Sequence, residues 1–217
     1  MRIQTLLATV ILAAAIPAYA AEQVQHMPVA ATVTDPKQMP AGLYTLDPAH
    51  AHALFHISHM GFSEYVGGFN DISGQLVFKP DALGDSKLNV TIKTSSIDVQ
   101  SPKLVENLKG PAFFDAVKFP EITFTNTSLV PVSATQGKLT GNLTMHGVTR
   151  PVTLDVTFKG AGIMPMTQNK VIGFVATGKL NRSDFGMDAY TPGLGDEVDL
   201  DISAEFDLVE TKPPTQK

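Results

Sequence analysis

The chain has 217 residues, 43 % of them apolar, with 12 Phe, no Trp and a net charge of −5. That is enough for one β-barrel domain with a real core, and the mild acidic balance argues against nucleic acid or an anionic membrane surface as the main partner. With no cysteine, disulfides, thiol catalysis, cysteine-ligated metal and a lipidated N-terminal Cys are excluded.

Residues 1–20 read as a cleavable secretory signal. Arg2 supplies the positive start, Leu6 to Ile16 is an apolar run too short to span a bilayer, and Ala18-Tyr19-Ala20 is a small-residue cleavage site. Residues 21–42 have no sustained period and carry Pro28, Pro36 and Pro40, which predicts a mobile segment. Ala49 to Phe78 then forms two alternating runs. Ala51, Ala53, Phe55, Ile57 and His59 share one parity, and His50, His52, Leu54, His56, Ser58 and Met60 the other. In the second run Ile72, Gly74, Leu76 and Phe78 lie on one face, with Val77 the exception on the polar side. Period-two alternation means half-buried strands. Gly67-Gly68 between the runs predicts the turn of a hairpin, supplying a positive φ or a bulge.

Lys79-Pro80-Asp81 is a turn. Ser86 to Thr94 is the next strand, with Leu88, Val90 and Ile92 on one face. Ser101 to Lys109 breaks the pattern. Ser101 as N-cap, Pro102 as first helical residue, the apolar stripe Leu104-Val105-Leu108 and the stop at Gly110-Pro111 predict one short helix. Further strands follow, with inner faces Ile122/Phe124; Leu139/Gly141/Leu143/Met145; Val152/Leu154/Val156/Phe158; Ile172/Phe174/Ala176/Gly178/Leu180; and Val198/Leu200/Ile202/Ala204/Phe206/Leu208. Residues 160–170 read as a loop and 211–217 as a disordered tail. About eight strands at turn-punctuated spacing predict an all-β fold: one eight-stranded antiparallel barrel with a short helical insertion.

Several short stretches resemble the YceI-like family. They are Tyr44-x-x-Asp47, His50, Phe55, His59-Met60-Gly61 and Gly68-Phe69, then Ser95-Ser96-Ile97-Asp98. Phe113-Phe114-Asp115 with Phe119-Pro120-Glu121-Ile122-Thr123-Phe124, the turn Gly147 to Val152, and Asn181-Arg182-Ser183-Asp184-Phe185-Gly186 complete the set. The likeness runs in chain order from residue 43 to about 208, and the domain is taken as 43–210. It implies a secreted, lipocalin-like barrel that binds a polyisoprenoid lipid, here in a bacterial periplasm. The helix departs from the family. Members carry an Arg-Asp-x-His-Leu pattern where this chain has Leu104-Val105-Glu106-Asn107-Leu108.

The inward parity is rich in small residues: Ala51, Ala53, Gly74, Gly141, Ala176, Gly178 and Ala204. An eight-stranded barrel is filled by its own side chains or holds one small ligand. These residues therefore mark either a ligand cavity or bends of the sheet. The remaining wall suits a long hydrocarbon. The expected lipid contacts are Phe55, Ile57, Phe69, Leu76, Phe113, Phe114, Phe124, Leu143, Met145, Phe174, Phe185 and Ile202. The polar head-group candidates are His59, Asn107, Arg182 and Asp184. For His59 a backbone-bonded buried histidine stands beside that role, and for Arg182 and Asp184 a structural pair does.

The function expected is a binding or carrier protein for a polyisoprenoid or isoprenoid quinone, needing no catalysis and no cofactor beyond the lipid. A lipid donor or acceptor at the membrane and a second copy of the chain are the partners considered. The alternatives are an accessory protein or enzyme of quinone metabolism or electron transfer, and a stress-response module without lipid. His50, His52 and His56 share the outer parity. No carboxylate or cysteine nearby in sequence completes a metal site, so they read as solvated. Asp196, Glu197, Asp199 and Asp201 read as a solvated face, not a pair of catalytic acids. No nucleophile elbow, phosphate loop or dinucleotide fingerprint is present.

Overall fold

The computed structural model describes residues 32–210. The signal-like segment and the C-terminal tail lie outside the described residues. Ten strands and one α-helix are present: β1 (Gly42–His59), β2 (Ser63–Phe69), β3 (Ile72–Phe78), β4 (Lys87–Lys93), β5 (Ile97–Asp98), α1 (Pro102–Lys109), β6 (Glu121–Pro131), β7 (Gln136–Met145), β8 (Val148–Ile163), β9 (Lys170–Asn181) and β10 (Leu194–Leu208).

The sheet closes because β10 pairs back onto β1 from Tyr44↔Leu208 to His59↔Leu194. β2 and β3 are successive halves of one barrel stave. Both run antiparallel to β1, β2 against its second half and β3 against its first. The short β5 likewise continues β4 and pairs with β2. Counted as staves, the wall is a closed eight-stranded antiparallel barrel, which leaves the sheet no long free edge.

The first hairpin differs from the sequence reading. The reversal falls at Met60-Gly61-Phe62, between paired His59 and Ser63, with Met60 at φ 52° and Gly61 at φ 72°. Gly67 and Gly68 are inside β2, opposite Phe55 and Leu54. They are small because neighbouring side chains cross over them. A Cβ on Gly67 would run into the Phe55 ring and sit 2.7 Å from Val99, and one on Gly68 would sit 2.8 Å from Leu54. The β7–β8 turn has two residues, His146 (φ 52°) and Gly147 (φ 75°). Both take the left-handed conformation that a two-residue hairpin of matching twist needs.

Part of the segment expected to be mobile is packed on the barrel. Val33 bridges Ala161, with amide-to-carbonyl bonds of 2.6 and 2.9 Å in the two directions. A short 3₁₀ turn at Pro36–Gln38 follows, and Pro36 and Met39 are buried. Met39 joins one of two apolar clusters, many of whose members also line the barrel's interior. The absence of a repeating period is what hid this, since a strap needs only one or two anchors.

The helix forms as its sequence predicts. Ser101 Oγ accepts from the Leu104 amide, Pro102 opens the first turn, and Gly110 follows the last residue. Leu108 is buried in the second cluster, with Leu104 and Val105 packed against it. Phe114 meets Phe69 edge-on at 5.5 Å and Phe185 is fully buried in the same cluster. The helix, the turn after it and the 182–185 turn therefore stopper one end of the barrel.

Candidate functional site: an apolar cavity along the barrel axis

Along the barrel axis, beyond the stoppered end, lies a cavity of about 280 Å³. All eight staves contribute to its wall. Among the lining residues are Leu46, Ala51, Ala53 and Phe55 from β1, Phe69 from β2, Ile72 and Leu76 from β3, and Leu88, Val90 and Ile92 from β4. Phe124 comes from β6, Leu139, Leu143 and Met145 from β7, Leu154, Val156 and Phe158 from β8, Phe174 and Ala176 from β9, and Leu200, Ile202 and Ala204 from β10.

Alanine, not the inward Gly74, Gly141 and Gly178, makes the room. Ala51 pairs with Ala204, and Ala176 with Ile202, across adjacent staves. Along this part of the wall the lining extends to His52, Leu54, Val175 and Ser203, which have the outer parity. Gly74, Gly141 and Gly178 do not line the space. A Cβ on Gly141 would meet the Phe124 ring and approach the Thr125 carbonyl oxygen to 2.7 Å, and one on Gly178 would approach Leu154 to 2.6 Å. These glycines are covered by cross-strand side chains. Neither reading from sequence, cavity or bend, accounts for them.

His52 is the only ionisable residue in the lining among the described residues, and its side chain is exposed. Polar groups gather at one end. There Pro36, Leu83 and the β6–β7 hairpin (131–137) frame a mouth, and the hairpin's Ser133, Ala134 and Gln136 are exposed. Asn126, buried just inside, is an unpredicted constituent. Its Oδ1 accepts from the Leu88 amide at 2.7 Å, and its Nδ2 donates to the Ser86 carbonyl at 3.0 Å. It continues the β4–β6 ladder beyond Asn89↔Thr125 with a side chain. An asparagine at an otherwise apolar inward position was the available signal. Ser86 Oγ accepts from the Lys79 amide and Ser133 Oγ from the Thr135 and Gln136 amides. Thr135 and Gln136 make no side-chain hydrogen bond among the described residues.

Of the twelve apolar residues expected from sequence, Phe55, Phe69, Leu76, Phe124, Leu143, Met145, Phe174 and Ile202 line the cavity. Ile57 is buried at the β1–β10 seam beside Val198 and outside the lining. Phe113 stacks on Tyr190 at 5.9 Å, and it, Phe114 and Phe185 belong to the stopper. Alternation placed all of the first group but Phe69, which came with the Gly68-Phe69 motif. Ile57 shares the inward parity yet lies outside the lining, and Phe113, Phe114 and Phe185 fall outside the alternating strands, so their places depend on how their turns fold back.

The four polar candidates sit elsewhere. His59 has the inward parity but is exposed, because β1 ends there and the barrel no longer surrounds it. Asn107 is exposed on α1. Arg182 is buried, and its guanidinium makes four hydrogen bonds. Nε donates to the Gly195 carbonyl, Nη1 to Met187, and Nη2 to Thr191 Oγ1 and the Leu194 carbonyl, at 2.6–3.0 Å. Burial lowers its pKa, and the nearby Asp196 and Asp188 partly oppose that. Asp184 is exposed, and its neighbour Ser183 is held by Asp196 through both amide and hydroxyl. Those two bonds keep the Asp196 carboxyl below the usual range. All four lie at the stoppered end, opposite the mouth.

The outer histidines do not converge. His50 Nδ1 is 2.7 Å from Asp47, His56 is 4.0 Å from Glu64, and His52 is paired with Ser203. Among the described residues no group of three His, Asp or Glu is placed to hold a metal ion. Glu197 and Asp199 both pair with Lys179 on the outer face.

A closed antiparallel barrel around an axial apolar cavity, plugged at one end and open at the other, defines a lipocalin-like binding fold. The YceI-like domain model matches residues 44–206, and the chain belongs to that family. It is 38 % identical over 167 residues to the protein YceI of Salmonella arizonae, covering 76 % of this chain and 86 % of the relative. It is 37 % identical over 164 residues to a UPF0312 protein of Vibrio parahaemolyticus, covering 75 % and 85 %. Among solved structures, a Campylobacter jejuni YCEI protein superposes with TM-score 0.63 at 32 % identity, over 70 % of this chain and 90 % of that one. A polyisoprenoid binding domain from Saccharophagus degradans superposes with TM-score 0.54 at 14 % identity, over 76 % and 98 %, a likeness of fold.

Proposed function

We propose that the protein is a periplasmic carrier that takes an isoprenoid lipid, a polyisoprenoid or an isoprenoid quinone, into its barrel and shields it from water. The observation that carries this reading is the axial cavity walled by Phe, Leu, Ile, Val, Met and Ala, with no ionisable side chain of inward parity in its lining. Such a wall rejects sugars and nucleotides, whose buried polar groups would go unpaired. It rewards hydrocarbon at about 0.8 kcal/mol per methylene removed from water, hence roughly 4 kcal/mol for a five-carbon isoprene unit. Against a bilayer that gain nearly cancels, so selectivity rests on the shape of the cavity and on polar contacts to the head. The head group sits at the mouth against Thr135 and Gln136, whose side chains are not committed elsewhere in the described residues. The Saccharophagus degradans neighbour, whose polyisoprenoid binding is a property of that protein, supports this reading of the shared fold. The signal-like N-terminus supports export to the periplasm.

The test is native mass spectrometry, with organic extraction, of protein purified from its own periplasm. A co-purifying isoprenoid of defined mass is expected. A protein that carries no lipid, and takes up no isoprenoid offered in detergent micelles, sinks the proposal.

A further inference from the structure

The two hairpins at the open end stand apart from the rest of the surface. Residues 130–137 read VPVSATQG and residues 162–169 read GIMPMTQN, with no charged side chain in either. They project side by side, because β7 pairs with β8 and both turns fall at the mouth end of those strands. Val130, Val132, Ile163 and Met166 are between 53 % and 75 % exposed, and none of them lines the cavity. Exposed apolar residues also occur at the stoppered end, with Phe62 the largest. There they stand among charges of both signs, with Glu64, Glu106, Asp115, Asp184 and Asp188 interspersed with Lys103, Lys109 and Lys118 and with the pairs Lys93–Glu121 and Lys179–Glu197.

We propose that the two uncharged hairpin tips at the mouth form a membrane-docking surface that inserts Val130, Val132, Ile163 and Met166 into the interfacial region of a bilayer, while the rest of the rim carries both signs of charge in Lys37, Lys79, Asp81 and Asp85. This rests on the reading of the cavity as a lipid site, and it supplies the step that reading needs. A lipid leaving a bilayer for the cavity crosses the gap between them, and its hydrocarbon meets no water only if the mouth is pressed against the membrane. A lipid surface, not a protein, is the occupant because the apolar tips stand beside an opening onto hydrocarbon and carry no charge of their own for a partner to read. With the inserting tips uncharged and the rest of the rim carrying both signs, docking is expected on zwitterionic lipid without help from anionic head groups.

The experiment is flotation of the full exported chain with phosphatidylcholine vesicles, compared with Val132→Glu/Met166→Glu and with Phe62→Glu at the stoppered end. Each variant's thermal unfolding confirms that it is folded. Uptake of an isoprenoid from detergent micelles, where no bilayer takes part, is measured alongside. Expected are vesicle binding by the parent chain, at least a tenfold loss in the double variant, no loss in Phe62→Glu, and unchanged uptake from micelles in all three. Binding that survives the double variant, or is lost only in Phe62→Glu, overturns the docking surface. So does a parent chain that loads from micelles yet ignores vesicles, and that result leaves the carrier reading standing. Failure of micelle uptake in the parent chain strikes the carrier reading instead.

Discussion

Filling the cavity separates a ligand site from an ordinary core. Ala176 and Ala204 lie on adjacent staves, and both line the space. Ala176→Leu/Ala204→Leu adds three carbons at each position. If these carbons find room they contribute up to about 2.4 kcal/mol per substitution, at about 0.8 kcal/mol per methylene. Strain from forcing side chains into a well-packed core runs at about 1–3 kcal/mol, so the net effect on stability lies near zero or modestly above it. At roughly 2–4 °C per kcal/mol for a domain of this size, the melting temperature holds or rises by a few degrees. Lipid binding responds in the opposite sense. Displacing one isoprene unit removes about 4 kcal/mol, more than a hundredfold in Kd. The assay pairs thermal unfolding of the lipid-free protein with a titration of a short isoprenoid dissolved as monomer in water, the reference state to which the methylene figure applies. Unchanged affinity would show that the lipid does not occupy this space. A fall of ten degrees or more in melting temperature would show that the alanines already sit in close-packed core.

Gly141→Ala should do the reverse, lowering stability by about 1–3 kcal/mol in urea unfolding, because its Cβ has only the Phe124 ring and the Thr125 carbonyl to move into. Asn126→Leu leaves the Leu88 amide and Ser86 carbonyl unpaired at the wall. A loss of about 2–4 kcal/mol is expected for the two groups, and a melting temperature equal to the parent's would contradict the role assigned to that side chain. Arg182→Lys cannot reproduce four directed bonds. It should destabilise the stoppered end by a few kcal/mol with isoprenoid affinity per folded molecule unchanged; a specific loss of affinity would restore Arg182 as a ligand contact. The Asp47–His50 hydrogen bond holds the carboxyl below its ordinary 3.8 and the imidazole above its ordinary 6.5. His50 therefore contributes below about pH 6.5 and fades as pH rises through its raised value. Asp47 contributes above about pH 3.8 and fades as pH falls through its lowered value. Both groups are solvent-screened, so the pair is worth less than about 1 kcal/mol. The sharper readout is NMR titration of His50, whose midpoint should drop in Asp47→Asn.

The sequence by itself determined the barrel and most of its lining. Alternation with period two survives any arrangement of the strands, because successive side chains of a strand must face opposite sides. Leu88, Val90, Phe124, Leu143, Phe174 and Ile202 could thus be assigned inward before any pairing was known. The short helix was equally legible, since Ser101, Pro102 and Gly110 act on their own backbone. What only the tertiary structure decided depends on where strands stop and what crosses them. His59 has inward parity and no barrel around it. Arg182 is consumed by carbonyls from a loop up to thirteen residues away in sequence. Gly67 and Gly141 are small for the sake of a ring on the next strand, while the alanines are small for the sake of the cavity; composition does not distinguish these cases. The mouth lies opposite the polar motifs because chain ends and hairpins, not residue types, set which end of a cylinder stays open.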